Sequence, residues 1–306
     1  MTASRKIVNR TLDHARRCFN LRARDTTLSL GKKTLLMGIV NVTPDSFSHD
    51  GLLRKGSNDP RAHLAHALKL IKQGADIIDV GGESTRPGAQ TVTIEQELQR
   101  VIPLIRLLAK KTAIPISIDT YKPLVARQAI DAGASIVNMI QGTSINKKML
   151  DILKRTNVAV VLMHMRNTPR TMQQHIHYGN LIVEIIDELR KSVQKCLESG
   201  INSDRIIIDP GIGFCKTTEH NLIILKHLRK FSSLRLPILI GTSRKSFIGK
   251  VLGHTDPQKR TWGTAATVSS AILSGAHIIR VHDIASMRDV ARVADAITKP
   301  KNFRNQ

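Results

Sequence analysis

The sequence predicts an α/β fold, a (β/α)8 TIM barrel preceded by a short N-terminal β-hairpin extension. Three observations predict it. Apolar, β-rich runs alternate in a steady rhythm with stretches of helical periodicity. Eight such units fill residues 35–298, at about 33 residues each. The segments QGADIIDV, DAGASIVN and SGAHIIRV each set Gly where a helix needs a left-handed cap, then Ala, then a buried strand. Continuous apolar strands joined by crossover helices make a parallel sheet. Eight repeats close it into a barrel rather than an open, doubly wound sheet.

Residues 1–33 carry nine Lys/Arg against only Asp13 and Asp25. An Arg-rich, acid-poor leader is one form of organelle transit peptide. The reading adopted is a basic extension, residues 1–25, with DTTLSLGKK forming a hairpin that leads into the first core strand. A single barrel domain then spans 26–300, with a tail at 301–306. Its strands are LLMGIV (35–40), DIIDVG (76–81), PISID (115–119), SIVNM (135–139), VAVVLMH (158–164), RIIID (205–209), PILIG (237–241) and HIIRVH (277–282). Between them, Asp59-Pro60 starts a helix whose Leu64, Leu68 and Ile71 share a face until Gly74. Thr93 and Gln96 make a capping box for the next helix, which Pro103 should kink. Ile182, Ile185, Ile186, Leu189, Val193 and Cys196 or Leu197 form a stripe that Gly200 ends.

At 306 residues and 41% hydrophobic content, the chain has material for a large core. No apolar run approaches a membrane span and no secretory signal is visible, which points to the cytoplasm. Cys18, Cys196 and Cys215 form no CxxC pair, as suits a reducing compartment. The net charge of +23 is spread along the whole chain, and aromatics are only 3%. That argues against nucleic acid as the main partner and for a general pull on anionic small molecules.

Active sites of this fold lie at the C-terminal ends of the strands. Those ends deliver Asn41, GGESTRPG (81–88), Asp119, Asn138, His164, Asp209, GTSRKS (241–246), Arg280 and His282 to one mouth. Asp119, Asn138 and Asp209 end strands in an apolar barrel, where polar groups require partners. A flat heterocycle with adjacent N–H and C=O groups, such as an aminopyrimidinone, would satisfy them; so would a self-contained network among the strands. Lys245, Arg280 and His282, with Arg86, suit phosphate or pyrophosphate. Asn41 offers a neutral oxygen to Mg2+ carried mainly by a polyphosphate. GIGFCK (211–216) lacks the third glycine of a dinucleotide loop, and GTSRKS lacks P-loop spacing. His63 with His66, and His175 with His177, have no third ligand at zinc-site spacing.

NVTPDSFS, GGESTRPGA, SIDTYKP, MHMRNTPRTMQ, DPGIGF followed by Cys215-Lys216, GTSRKSFIG and RVHD occur in that order. Together they resemble the dihydropteroate synthases, from about residue 26 to the end. The resemblance implies condensation of (7,8-dihydropterin-6-yl)methyl diphosphate with 4-aminobenzoate to 7,8-dihydropteroate and diphosphate. Mg2+, a homodimer and a cytoplasmic location are implied with it, and the family is a sulfonamide target. Carried over, the pterin pocket is Asp119, Asn138, Asp209 and Lys245 with Met163 beneath the ring, and Arg86, Arg280, His282 and Asn41 form the diphosphate and metal region. Phe47, Ser48, Thr85, Pro87, Lys216 and Ser243 enclose the aminobenzoate, and the loops after the first two strands close over the site. Where the family reads DSFSDGG this chain has His49, with Asp50 as the expected replacement carboxylate. Met139 replaces an acidic neighbour of Asn138, and Cys215 stands where Gly is usual. Two other readings share the barrel: a pterin-dependent methyltransferase, and a non-catalytic barrel that binds pterin or polyanions. The cluster Lys245, Arg280 and His282 argues against the first.

Overall fold

The computed structural model describes residues 16–43, 59–84, 90–167, 171 and 176–299. An antiparallel hairpin comes first, β1 (Phe19–Ala23) with β2 (Thr26–Leu30), paired from Phe19↔Leu30 to Ala23↔Thr26. The hairpin therefore begins well before the DTTLSLGKK segment expected to form it. Leu21 and Ala23 alternate inward against Leu30, which gives the earlier strand a buried face of its own.

The eight expected strands follow as β3 (Leu35–Asn41), β4 (Ile77–Gly81), β5 (Ile116–Asp119), β6 (Ile136–Met139), β7 (Ala159–Met163), β8 (Ile206–Asp209), β9 (Leu239–Ile240) and β10 (Ile278–Val281). They are parallel, in the order β8-β7-β6-β5-β4-β3-β10-β9. A bridge between Ile208 and Ile238 joins the two ends into a ring. The surrounding helices are α1 (Pro60–Gln73), α2 (Ile94–Lys111), α3 (Pro123–Ala132), α4 (Lys147–Thr156), α5 (Leu181–Glu198), α6 (Thr218–Lys226), α7 (Ser246–Leu252), α8 (Thr261–Leu273) and α9 (Ile284–Thr298).

Local chemistry sets several boundaries. Asp59 caps α1 by accepting from Arg61 N–H, and Gly74 closes that helix at φ 107°. Thr93 and Gln96 form the reciprocal capping box of α2, and Pro103 lies inside that helix, which continues to Lys111. The stripe on α5 resolves to Cys196, which is buried, rather than the exposed Leu197.

Strand residues two apart share a face. Leu35, Met37, Ile77, Ile136, Ala159, Val161, Ile207, Leu239 and Ile278 fill the lower barrel, and Leu21, Ala23 and Leu30 of the hairpin close its floor. The alternate residues face the helices and build the larger apolar layer. Met139 belongs to that outer layer, 1% exposed, on the opposite face of β6 from Asn138. A side chain at this position therefore points away from the mouth, toward the helices.

The segment ahead of the hairpin is also built in. Arg16 is buried, donating to Thr34 Oγ1 (2.7 Å), Ala276 O (2.6 Å), Gly31 O (3.4 Å) and Asp295 Oδ1 (3.0 Å).

Candidate active site

Polar residues gather at the C-terminal end of the ring, above the apolar floor. Arg280 on β10 reaches across the mouth, its Nε donating to Asp79 Oδ2 at 2.6 Å and its Nη2 to Asp119 Oδ2 at 2.8 Å. Asn138 Nδ2 donates to the same Asp79 oxygen at 3.0 Å. Strands β4, β5, β6 and β10 thus share one buried network. Among the described residues, Asp79 Oδ1 and Asp119 Oδ1 are buried with no hydrogen-bond partner, so the network has acceptors to spare. Burial pushes the Asp119 carboxyl upward; Arg280 opposes this and Asp79 adds to it.

The wall opposite is made by β8 and the loop after it. Asp209 is 6% exposed, and its Oδ1 accepts from Gly211 N–H at 2.7 Å. Burial raises its pKa against the pull of Lys245. Lys245 donates to Ile212 O and lies 4.7 Å from the centre of the Phe214 ring. Burial lowers its pKa to about 8, although Asp209 works the other way. The apolar part of the mouth is Ile140, Met163, Met165, Phe214 and Cys215, with Tyr121 packed against them.

Ser243 and His282 pair at the edge. Ser243 Oγ accepts from His282 backbone N–H at 3.2 Å and lies 2.9 Å from His282 Nδ1. The tautomer of the ring decides which of the two donates in the side-chain pair.

Lys216 was expected to flank the aminobenzoate. The structure places its ammonium inside the wall, 3.0 Å from His164 Nδ1 and donating to Phe214 O at 2.8 Å. His164 meets Glu188 Oε2 at 3.0 Å through Nε2. Burial, reinforced by Lys216, lowers the His164 pKa to about 4, so the ring is neutral, accepting from Lys216 and donating to Glu188. Burial also lowers Lys216, to about 7.

The structure brings together Asp119, Asn138, Asp209, Lys245, Arg280 and Met163, with Ser243 and His282 beside them. Asn41 ends β3 opposite Gly81; a methyl group placed on Gly81 would lie 3.7 Å from Asn41 Oδ1 and 3.8 Å from Asp119 Oδ2. Phe47, Ser48, His49, Asp50, Thr85, Arg86, Pro87 and His175 lie outside the described residues. Two residues of the site were missed. Asp79 was read as part of an apolar run, although a charge inside a buried strand was itself a signal. Phe214 was read only as part of the GIGFCK loop and of the DPGIGF motif, with no role of its own at the site.

Beside the mouth, Lys122 Nζ is held by Glu83 Oε2 (2.7 Å), Glu97 Oε2 (2.6 Å) and Val92 O (2.6 Å). This cluster ties the segment after β4 to α2 and α3.

The model of the pterin binding enzyme family matches residues 37–282, most of the chain. The chain belongs to the pterin-binding enzyme family. Within that family it is similar to the dihydropteroate synthase of Synechocystis sp., 45% identical over 272 residues, covering 89% of this chain and 93% of the relative. Its fold matches the Yersinia pestis dihydropteroate synthase solved with a sulfonamide drug, at TM-score 0.84 and 37% identity, covering 91% of this chain and 99% of that one. It also matches the Xanthomonas albilineans dihydropteroate synthase solved with 4-aminobenzoic acid, at TM-score 0.82 and 40% identity, covering 91% and 99%.

Proposed function

We infer that this chain performs the dihydropteroate synthase reaction, condensing (7,8-dihydropterin-6-yl)methyl diphosphate with 4-aminobenzoate to 7,8-dihydropteroate and diphosphate. The observation that carries the reading is the polar network at the mouth, with its spare acceptors. Carboxylates and an amide on three strands, Asp119, Asn138 and Asp209, face one cleft, with Lys245, Arg280 and His282 along its edge. Acceptor oxygens of Asp119, Asn138 and Asp209 suit the N–H groups of a pterin, and Met163 supplies an apolar surface for its ring.

The side chains divide the work by charge. Arg280 and His282 hold the diphosphate as it leaves. The carboxylates of Asp119 and Asp209 stabilise positive charge developing on the pterin methylene, in a site with little water. Lys245, beside Asp209, faces the pterin, and Phe214 borders the space for the aminobenzoate ring. The arylamine is neutral at pH 7 and needs no strong base. As the C–O bond to diphosphate breaks, the amine nitrogen bonds the methylene carbon and then releases one proton.

Among the described residues, no group of three His, Cys, Asp or Glu could hold a metal ion by itself. The oxygen of Asn41 fits a hard ion that brings most of its ligands with it. We therefore assign Asn41 to Mg2+ carried by the diphosphate; when bound, that ion neutralises charge on the leaving group.

Other finer points belong to the same proposal. The exposed apolar side chains Val251 and Leu252 of α7, and Trp262 and Leu273 of α8, support a homodimer through these helices. Among the described residues no helix is long and apolar enough to cross a membrane, and Cys18, Cys196 and Cys215 are unpaired; both suit a cytoplasmic enzyme. A sulfonamide that mimics 4-aminobenzoate should compete with it.

The test is diphosphate release by the purified chain with the pterin diphosphate and Mg2+, with and without 4-aminobenzoate, and identification of dihydropteroate by mass. Release that requires aminobenzoate supports the reading. Pterin binding without product would leave a non-catalytic barrel, and methyl transfer to a corrinoid would favour the methyltransferase.

A further inference from the structure

Asp79 is fully buried, two residues before the mouth end of β4. It has no route to a substrate except through its neighbours. Its Oδ2 accepts from Asn138 Nδ2 (3.0 Å) and from Arg280 Nε (2.6 Å). An ionised carboxylate accepts and never donates. The amide of Asn138 can therefore meet Asp79 only through its NH2 group, since the flipped amide would set oxygen against oxygen. Asn138 Oδ1 is turned away from Asp79 as a free acceptor. Arg280 is fixed in the same way, with Nε on Asp79 and Nη2 on Asp119 holding the guanidinium plane between two strands.

We propose that Asp79 is a positioning residue that sets the donor and acceptor pattern of the pterin pocket, by locking the Asn138 amide with its oxygen toward the ligand and fixing the plane of Arg280. This rests on the pterin reading above. With Asn138 so locked, Asn138, Asp119 and Asp209 all present acceptor oxygens. The pocket then selects a heterocycle edge rich in N–H donors and rejects one that presents carbonyl oxygens, because buried acceptors would be left unpaired.

The experiment is steady-state kinetics of Asp79→Leu and Asp79→Asn with each substrate varied, melting temperatures, and calorimetry of pterin diphosphate binding alone. Leucine keeps the volume and removes both acceptors; asparagine keeps one acceptor oxygen. Asp79→Leu should raise the KM for pterin diphosphate about tenfold or more, lower kcat about 100-fold, and leave the KM for 4-aminobenzoate within about twofold. Asp79→Asn should recover most of that loss.

A folded Asp79→Leu protein with unchanged KM for the pterin diphosphate would overturn the proposal. So would both KM values rising together, or an asparagine variant as impaired as the leucine one. If Asp79→Leu does not fold, Asp79→Asn decides alone: a loss as large as that of Asn138→Leu overturns the proposal. If the unaltered chain binds the pterin without turning over, the functional reading fails, and the calorimetric affinities of the same variants still decide the role of Asp79.

Discussion

His277 shows how one side chain ties the N-terminal arm to the barrel. Its Nδ1 accepts from Ile238 N–H at 3.1 Å and its Nε2–H donates to Arg17 O at 2.9 Å, a pair of bonds that needs the neutral ring. Burial lowers its pKa from 6.5 to about 4; the Arg17 carbonyl opposes this and Arg16 adds to it. Between those values the unfolded chain binds a proton that the folded chain refuses, so stability rises with pH. The contribution is complete above 6.5 and is lost as pH falls to 4, a difference of at most about 3 kcal/mol. His277→Gln removes the titration while keeping an N–H for Arg17. Melting temperatures from pH 7.5 to 4.5 should fall less steeply for this variant than for the unaltered chain. Parallel curves would mean that His277 does not titrate in this way.

The loop after β8 is pinned at almost every step. Gly211 N–H bonds Asp209, Gly213 N–H bonds Asn221, and the carbonyls of Ile212, Phe214 and Cys215 accept from Lys245, Lys216 and Tyr178. Gly211 has φ +72°, and a Cβ there would lie 1.9 Å from His164 O. Gly211→Ala should therefore displace the whole loop, costing about 3 kcal/mol or more in denaturant unfolding and at least about 100-fold in kcat/KM. A near-native melt with full activity would show the loop to be more tolerant than its bonds suggest. Much of this level was legible beforehand. The eight strands and the capping box of α2 follow from periodicity and cap chemistry, which are local. The strand ends that carry Asp119, Asn138 and Asp209 were found by asking only which residues finish a strand. Asp79 escaped because its place depends on the inward face of β4, two residues earlier, and on a partner 201 residues away. Separations of 39 and 25 residues likewise hid the pairing of Lys122 with Glu83 and Glu97. Pairings of that kind are decided by closure of the ring.

For the molecule as a whole, 47 Lys and Arg against 24 Asp and Glu surround a reaction between two anions. Lys147 and Lys148 stand exposed in the first turn of α4, on the mouth side, with no acidic residue in that turn. Raising ionic strength from about 20 to 300 mM should lower kcat/KM for the pterin diphosphate about three- to tenfold while leaving kcat nearly constant, as screening of a long-range field requires. A salt-independent kcat/KM would remove steering as the use of this charge. The ring beneath that surface is not evenly stiff. Its other neighbouring strands are joined by ladders of two to five paired residues, whereas β8 meets its neighbour through the one bridge between Ile208 and Ile238, with Ile208 N–H on Pro237 O at 2.9 Å. Asp209 ends β8 and Lys245 follows β9, on either side of that seam. A ligand that touches both acts as a clasp across the most compliant part of the hoop, so its binding should be felt as stiffness. The amide of Ile208 should exchange with deuterium faster than that of Ile118 in the free protein and slow most when the pterin is bound, whereas uniform protection before and after would describe a hoop that was already rigid.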